Sequence, residues 1–146
     1  ALLRKFLLEI ILGIKMKRDM ETIRKLLIEI EESDIRYSID GSRSEQDRYH
    51  GMLLIDARLV EGSLHKTMSN VSAAPSMVLI KNLTWEGHEF LDNIRQSEVW
   101  NKIKSDFKDA SISTVMSVSK QLAEAYAKKK VKALLNPPDQ IATPEL

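Results

Sequence analysis

Apolar residues recur at three- and four-residue intervals between residues 17 and 33, and they define the first predicted element. The positions are Met20, Ile23, Leu26, Leu27 and Ile30. This spacing places them on one side of a helix, so it predicts an amphipathic helix with one buried face. Asp19 and Glu21 lie near its start, where the helix dipole favours acidic side chains.

A second helix is predicted after a short extended segment. The alternation over residues 35–39 predicts a strand, and the dipeptide Asp40-Gly41 predicts a turn. Ser42 or Ser44 then caps a helix that we expect to reach its end near residue 59. The apolar positions of this helix are Tyr49, Met52, Leu53, Ile55 and Leu59. The remaining face carries Gln46, Arg48, His50 and Gly51, and we expect that face to point outward.

A hairpin and a further helix follow in the pattern. Residues 61–76 are rich in serine, glycine and asparagine, which predicts a long loop, and residues 77–80 are apolar enough for a buried strand. Thr84 is a good N-cap for a helix that extends to about Lys108 with a bend at Gln96-Ser97. We expect both tryptophans of this helix, Trp85 and Trp100, to be packing anchors.

The last predicted helix covers residues 112–135. Its apolar stripe consists of Val115, Val118, Leu122, Ala125, Tyr126 and Leu134. Lysines cluster near its C-terminal end at positions 128, 129, 130 and 132, where cations complement the helix dipole. The same lysines would also suit contact with phosphate groups. Asn136-Pro137 ends the helix, and we expect residues 136–146 to be a disordered tail.

Residues 1–15 form an apolar segment that stands apart from this pattern. Leu3, Leu7, Ile10 and Ile14 share one helical face, which predicts an extension helix for packing or for dimerisation. The apolar run is too short to span a membrane, and it has no small-residue cleavage site of the kind found in signal peptides.

Helix, hairpin and helix in this order predict a mainly α fold with a small β-hairpin, of the winged helix-turn-helix type with additional C-terminal helices. We assign residues 1–15 to the extension helix, 16–110 to the winged-helix domain, 111–135 to the C-terminal helix and 136–146 to the tail. The length of 146 residues suits one domain with its own core.

Composition changes the functional picture in two ways. The absence of cysteine excludes disulfides and thiolate metal sites, and it suits a cytoplasmic protein. The formal net charge of +1 is nearly balanced, so any basic surface that binds nucleic acid must be local.

Basic and amide side chains of the predicted helix and wing are the candidate DNA-binding residues. In a winged helix the exposed face of the helix before the wing lies in the major groove, and Arg48 and Gln46 can read guanine and adenine edges there. The wing would reach phosphates through its own basic residues. The candidate set is Arg43, Gln46, Arg48, His50, Arg58, His65, Lys66 and Lys81. A solvated helix face explains the same pattern, and Glu45 and Asp47 beside it would repel phosphates.

No catalytic or metal-binding motif is present. The three histidines, His50, His65 and His88, have no metal-ligand spacing, and the glycines do not form a phosphate-binding loop. His88 and Glu89 are adjacent on a helix and therefore point about 100° apart, so they do not form one site. We therefore expect a protein that is not an enzyme and that uses no cofactor or metal.

Several runs of the sequence resemble domain-of-unknown-function family 2513, a bacterial and phage family. Its start resembles residues 16–27, its middle resembles residues 49–60, and the most distinctive run is LTWEGHEFLD at residues 83–92. The resemblance implies a winged-helix-like fold and implies no established activity. Arg58 departs from the usual winged-helix pattern, in which glycine takes this place after the helix because the backbone there is left-handed.

Two hypotheses follow from these observations. The first is a DNA-binding protein, a bacterial or phage transcriptional regulator, whose partner is double-stranded DNA. The second is a protein-protein interaction module on a winged-helix scaffold, which the balanced charge and the acidic Glu45 and Asp47 favour. A homodimer is a secondary prediction, because residues 2–14 and 112–126 supply surplus apolar helix and winged helices often bind two half-sites. No membrane association is expected.

Overall fold

A computed structural model describes residues 2–4, 7, 16–67 and 73–137 of the chain. Within these ranges the elements that can be named, in chain order, are α1 (Met20–Glu32), β1 (Tyr37–Ile39), α2 (Glu45–Asp56), β2 (Val60–His65), β3 (Met77–Leu83), α3 (Trp85–Arg95), α4 (Ser97–Asp106) and α5 (Ile112–Leu135). The predicted fold class is confirmed: the chain is mostly helical with a small antiparallel sheet that includes the hairpin β2–β3.

The chain divides into two compact units, residues 1–91 and residues 92–146. In the first unit, α1 begins at Met20, three residues after the predicted start at residue 17, because the Asp19 carboxylate accepts a hydrogen bond from the main-chain N–H of Glu21 (3.3 Å) and so caps the helix. The helix buries one face, which is the apolar stripe predicted from its spacing. Its buried residues are Met20, Ile23, Leu26, Leu27 and Ile30.

The sheet has three strands in the order β1-β3-β2, and both neighbouring pairs are antiparallel. One side of it is buried through Ile39, Val78 and Ile80, and α1 and α2 pack against β3. The sequence predicted a loop over residues 61–76, but β2 occupies Val60–His65. The strand forms although most of its residues are exposed, because pairing with β3 satisfies its backbone and only Val60 is fully covered.

The turn after α2 is closed by a Schellman motif. The main-chain N–H of Arg58 donates to the carbonyl of Ile55 (3.0 Å), and that of Leu59 donates to the carbonyl of Leu54 (3.0 Å). Arg58 has a φ of 60°, so the left-handed residue expected at this position is present and is an arginine. The helix therefore ends in the expected turn without the expected glycine.

The α3 helix is attached directly to this turn, which explains part of the LTWEGHEFLD run. The Thr84 hydroxyl donates to the carbonyl of Arg58 (2.8 Å) and accepts from the main-chain N–H of Gly87 (3.0 Å), so it caps α3 as predicted. A Cβ atom on Gly87 would lie 2.0 Å from the carbonyl oxygen of Leu59. Glycine at residue 87 is what permits this close approach of helix and turn.

The second unit contains the two helices α4 and α5, which pack against each other. Gln96 precedes α4, so the predicted bend is a complete break between α3 and α4. The predicted limits of the last helix are confirmed, but its stripe differs: Val115, Ser119 and Ala123 are buried, whereas Ala125 and Leu134 are exposed. Small residues at 119 and 123 allow this close packing.

Two predictions at the ends of the chain fall mostly outside the described residues. In the predicted extension helix, residues 2–4 and 7 are helical. In the predicted tail, Asn136 is the C-cap of α5 and residue 137 follows it.

Candidate nucleic-acid interface

Arg43, one of the predicted DNA contacts, is the centre of an intramolecular polar cluster. Its guanidinium donates to the Tyr37 hydroxyl (2.7 Å), to the Glu29 carboxylate (3.0 Å) and to the Asp47 carboxylate (3.0 Å). The Tyr37 hydroxyl also bonds Glu29, and Lys25 lies 3.7 Å from Asp47. Two carboxylates neutralise the arginine and hold α1, β1 and α2 together, so Arg43 is not free to bind phosphate.

Two groups of this cluster, Tyr37 and Arg43, have raised pKa values. Burial and the hydrogen bond to Glu29 raise the pKa of the Tyr37 hydroxyl above its ordinary value. Burial opposes the charged form of Arg43, but its bonds to Tyr37, Glu29 and Asp47 outweigh burial and raise the pKa of its guanidinium. The arginine therefore stays charged and the tyrosine stays neutral, which is the behaviour of a structural connector.

The side chain of Arg48 also donates its hydrogen bonds to groups within the protein. Its Nε donates to the carbonyl of Pro75 (3.0 Å), and its Nη1 donates to the carbonyl of Arg43 (2.7 Å). The side chain is half-buried and joins the start of α2 to the segment that leads into β3. It was predicted to read base edges, and it would have to break both bonds to do so.

His50 was predicted to face outward, and this prediction is wrong because the side chain is completely buried. Its Nε2 accepts a hydrogen bond from the main-chain N–H of Asp19 (2.7 Å), and its Nδ1 therefore carries the proton and donates to the carbonyl of Gln46 (2.7 Å). Burial lowers the pKa of His50 below its ordinary value. The neutral imidazole is thus a connector between α1 and α2.

The face of α2 that remains exposed is apolar and acidic. His50, Gly51 and Leu54 point inward, and a Cβ on Gly51 would lie 2.8 Å from a side-chain atom of Ile39, so α2 lies close against the sheet. The residues on the outer side are Glu45, Gln46, Tyr49, Met52 and Asp56. Gln46 keeps its predicted outward position, but no cation lies beside it in this set.

A basic surface lies instead on the side of the sheet that faces away from α1 and α2. Directly paired residues of antiparallel strands share a face, so Ser38, Leu79 and Ser63 lie in one row, with His65 and Met77 in another. Alternation along the strands adds Arg36, Glu61 and Lys81 to the same side. We call this surface the outer sheet face: Arg36, Ser38, Glu61, Ser63, His65, Met77, Leu79 and Lys81.

Arg36 and Lys81 line one groove of the outer sheet face. The groove has a volume of about 290 Å³ and is also lined by Gly62, Ser63 and Leu79. Both cations are exposed, and neither forms an ion pair with any described residue. His65 lies further along β2 towards the loop between the strands, and Lys66 follows it; both are exposed. Glu61 is exposed and lies on the same side of β2 as Ser63 and His65, but no carboxylate lines the groove between Arg36 and Lys81, so the positive potential is local to that groove.

The positions of Arg36 and Trp85 differ from what the sequence analysis proposed. Arg36 was not in the predicted set, because its side depends on the pairing of Tyr37 with Ile80, which the sequence does not give. Trp85 was predicted to be a packing anchor, but 78% of it is exposed, whereas Trp100 is buried as predicted. Arg58 is exposed as well, at the turn after α2.

Among the described residues, no group of three or more histidine, aspartate and glutamate side chains is arranged to hold a metal ion. The described helices also include none that is both long enough and apolar enough to cross a membrane.

Comparison with known proteins shows which family the chain is related to, but the matching proteins have no assigned activity. An "Uncharacterized protein" of Haemophilus influenzae (strain ATCC 51907 / DSM 11121 / KW20 / Rd) is 35% identical over 115 residues, which cover 75% of this chain and 93% of that protein. No solved structure matches the chain. Residues 17–113 match the family described as "Hypothetical protein (DUF2513)". The match covers α1 to the start of α5, including the turn at Arg58 and the Thr84 cap, and the chain belongs to this family.

Proposed function

We propose that this protein binds duplex DNA through the outer sheet face and serves as a transcriptional regulator of a bacterium or phage, in the cytoplasm and without catalysis. The observation that carries the proposal is the groove of the outer sheet face between Arg36 and Lys81, because no carboxylate lines it. Lysine and arginine on such a face neutralise phosphates and release counterions, which supplies most of the free energy of binding to DNA that does not depend on sequence.

The proposed contacts differ from those of a helix that reads the major groove. Arg43 and Arg48 are bonded to protein groups, and Glu45 and Asp56 lie on the exposed side of α2. Contacts to phosphate position a protein but carry no direct sequence information. We therefore expect the affinity to depend strongly on salt and weakly on the base sequence, with Lys66 and His65 adding contacts beside the groove.

The proposal is tested by fluorescence anisotropy with a labelled duplex over a series of salt concentrations. Each phosphate contact contributes about −0.9 to the slope of log K against log salt. The double variant Arg36→Ala, Lys81→Ala removes two such contacts and should make the slope less negative by about 1.8. The matched control is Lys102→Ala, Lys120→Ala, which removes two exposed lysines of α4 and α5 and should leave the slope unchanged.

The outcome against the proposal is equally clear. Duplex binding that is undetectable at about 50 mM salt would refute it, because a surface with several phosphate contacts binds tightly under those conditions. An equal loss of slope in the two double variants would also refute it, since that would assign the effect to net charge rather than to the outer sheet face.

The alternative function is a protein-protein interaction module. The exposed side of α2 favours it, because Tyr49 and Met52 are half-exposed between Glu45 and Asp56. Apolar side chains ringed by acids suit a protein partner better than a phosphate backbone. Under this hypothesis the double variant Tyr49→Ala, Met52→Ala would abolish capture of a protein partner, while the Arg36 and Lys81 variant would retain it.

A further inference from the structure

The exposed large apolar side chains of residues 16–67 and 73–137 fall into two sets, one in each compact unit. Ile35 and Trp85 form the first set and are 81% and 78% exposed. Val131, Leu134 and Leu135 form the second set and are 53%, 74% and 74% exposed. Large apolar side chains that remain this exposed together mark surfaces for interaction.

The first set lies in an acidic surface, which we call the acidic face: Glu31, Glu32, Asp34, Ile35, Trp85 and Glu89. Ile35, Glu31 and His88 line one groove between the end of α1 and α3, and Lys81 also reaches this groove. Trp85 lies one turn before His88, and its indole N–H donates to the Glu89 carboxylate (3.1 Å). Four exposed carboxylates therefore border the two apolar side chains.

The acidic residues of α1 are placed against the rule for helix ends. Glu31 and Glu32 lie in the last turn and Asp34 follows it, while no basic residue lies in that turn. Carboxylates at the negative end of a helix dipole destabilise the helix. Contact with a cationic surface would offset this unfavourable placement.

The second set lies in a basic surface, the basic end of α5: Ala127, Lys128, Lys129, Lys130, Val131, Lys132, Leu134 and Leu135. On a helix of 3.6 residues per turn, Ala127, Val131 and Leu134 share one side, with lysines on both flanks. Residues 125–137 contain no acidic residue. No ion pair of the described residues involves these lysines.

We propose that the basic end of α5 in one copy of this chain docks on the acidic face of a second copy. The two surfaces are complementary in charge, and each exposes apolar side chains that the other would cover. Pairing of two α5 helices through their basic ends is disfavoured, because it would place lysines of one copy against lysines of the other.

Reciprocal docking in a two-fold dimer uses the contact twice and so covers four faces. About 300 Å² on each face then reaches the roughly 1,200 Å² at which stable protein interfaces begin. This inference does not rest on DNA binding. It gives a specific contact for the dimer that the composition of the helices led us to expect.

Charge exchange tests the contact. The triple variant Lys128→Glu, Lys129→Glu, Lys132→Glu carries two acidic surfaces, and the triple variant Glu32→Lys, Asp34→Lys, Glu89→Lys carries two basic ones. Each alone should be monomeric in sedimentation equilibrium, whereas the wild type dimerises. An equimolar mixture should form a heterodimer at least about tenfold more tightly than either variant self-associates, because both contacts are restored.

Controls separate this contact from a general effect of charge or unfolding. The variant Lys102→Glu, Lys108→Glu, Lys120→Glu changes the same number of exposed lysines elsewhere and should remain dimeric. Circular dichroism should show all variants folded, and Glu32→Lys and Asp34→Lys should stabilise the C-terminal end of α1. A wild type that is monomeric at about 100 µM would overturn the proposal, since a specific dimer of this size forms well below that concentration.

Two further results would also overturn it: a lysine variant that still dimerises, or a mixture of folded variants that stays monomeric. Binding of wild type to anionic lipid vesicles without self-association would assign the basic end of α5 to a membrane surface instead.

Discussion

Substitution of Gly87 by alanine probes the attachment of α3 to the turn after α2. The new Cβ would lie 2.0 Å from the carbonyl oxygen of Leu59 and 3.0 Å from its carbonyl carbon. Both atoms belong to the main chain of a turn that two hydrogen bonds close, so they cannot swing aside as a side chain would. The helix must therefore move by about 1 Å, as overpacked sites in proteins do.

The size of the effect follows from three contributions. Overpacking of this kind costs about 1–3 kcal/mol. Displacement of α3 also weakens the bonds of Thr84 to Arg58 and Leu59, and each is worth about 0.5–1.5 kcal/mol. Alanine returns up to about 1 kcal/mol through its higher helix propensity. We therefore expect Gly87→Ala to lower the free energy of unfolding by about 2 kcal/mol.

Urea denaturation followed by circular dichroism measures this change, with the midpoint falling and the slope unchanged. Gly41→Ala is the matched control, because its Cβ would meet no atom within 4 Å. That variant should leave stability unchanged or raise it by less than about 1 kcal/mol. If Gly87→Ala is within about 0.5 kcal/mol of wild type, our explanation of this glycine is refuted.

Three further predictions concern the turn after α2, the start of α3 and the contact of α1 with α2. Arg58→Gly should raise the free energy of unfolding by about 0.5 kcal/mol in urea denaturation, because relief of the left-handed arginine outweighs the added freedom of the unfolded chain. Arg58→Ala should not raise it, because alanine has the same strain at this position. Equal free energies of unfolding for the two variants would show that backbone strain at Arg58 is not the cause. Thr84→Ala should lower the free energy of unfolding by about 1–2 kcal/mol in thermal unfolding, and Thr84→Ser should lower it much less, because serine retains the hydroxyl that caps α3. An equally large loss in Thr84→Ser would contradict the capping role of this hydroxyl. Burial lowers the pKa of His50, so the unfolded chain binds its proton first as pH falls. The contribution of His50 should be complete above about pH 6.5 and be lost below it, with a slope of at most about 1.4 kcal/mol per pH unit. His50→Gln should remove this slope from unfolding measured between about pH 7 and pH 5, and an unchanged slope would exclude His50 as its source.

The sequence correctly predicted those features that depend on residues close together in the chain, such as the buried face of α1 and the N-cap of α3. The five apolar residues of α1 are the five that it buries, and Thr84 caps α3 as the sequence indicates. The sequence left Ser42 and Ser44 as possible N-caps of α2, and the structure shows that the cap is Ser44, whose hydroxyl accepts a hydrogen bond from the main-chain N–H of Asp47 (3.1 Å). These features depend on neighbours a few positions away, which a sequence displays directly.

The orientation of α2 could not be predicted in the same way. Apolar residues occur on several sides of it, and the sequence favoured Tyr49 and Met52 as the buried side. The structure buries His50 instead, because Asp19, which is 31 residues earlier, supplies the partner of its Nε2. A histidine is polar by composition but can be fully buried when both ring nitrogens are bonded.

The candidate site shows the same limit. Arg43 and Arg48 have the right chemistry for DNA, but Glu29 and Pro75 are brought to them by the tertiary fold. Arg36 and Lys81 share a groove because of strand register, which pairs residues over 40 positions apart. Sequence identified the class of side chain, and only the structure distinguishes the engaged arginines from the exposed ones.

The most direct test of the proposed function is a titration of ¹⁵N-labelled protein with a short DNA duplex, followed by amide chemical shifts. We predict that the shifts concentrate at residues 36–38, 62–66 and 77–81, which form the outer sheet face and its edge. Shifts concentrated on α2, or none at low salt, would contradict the account.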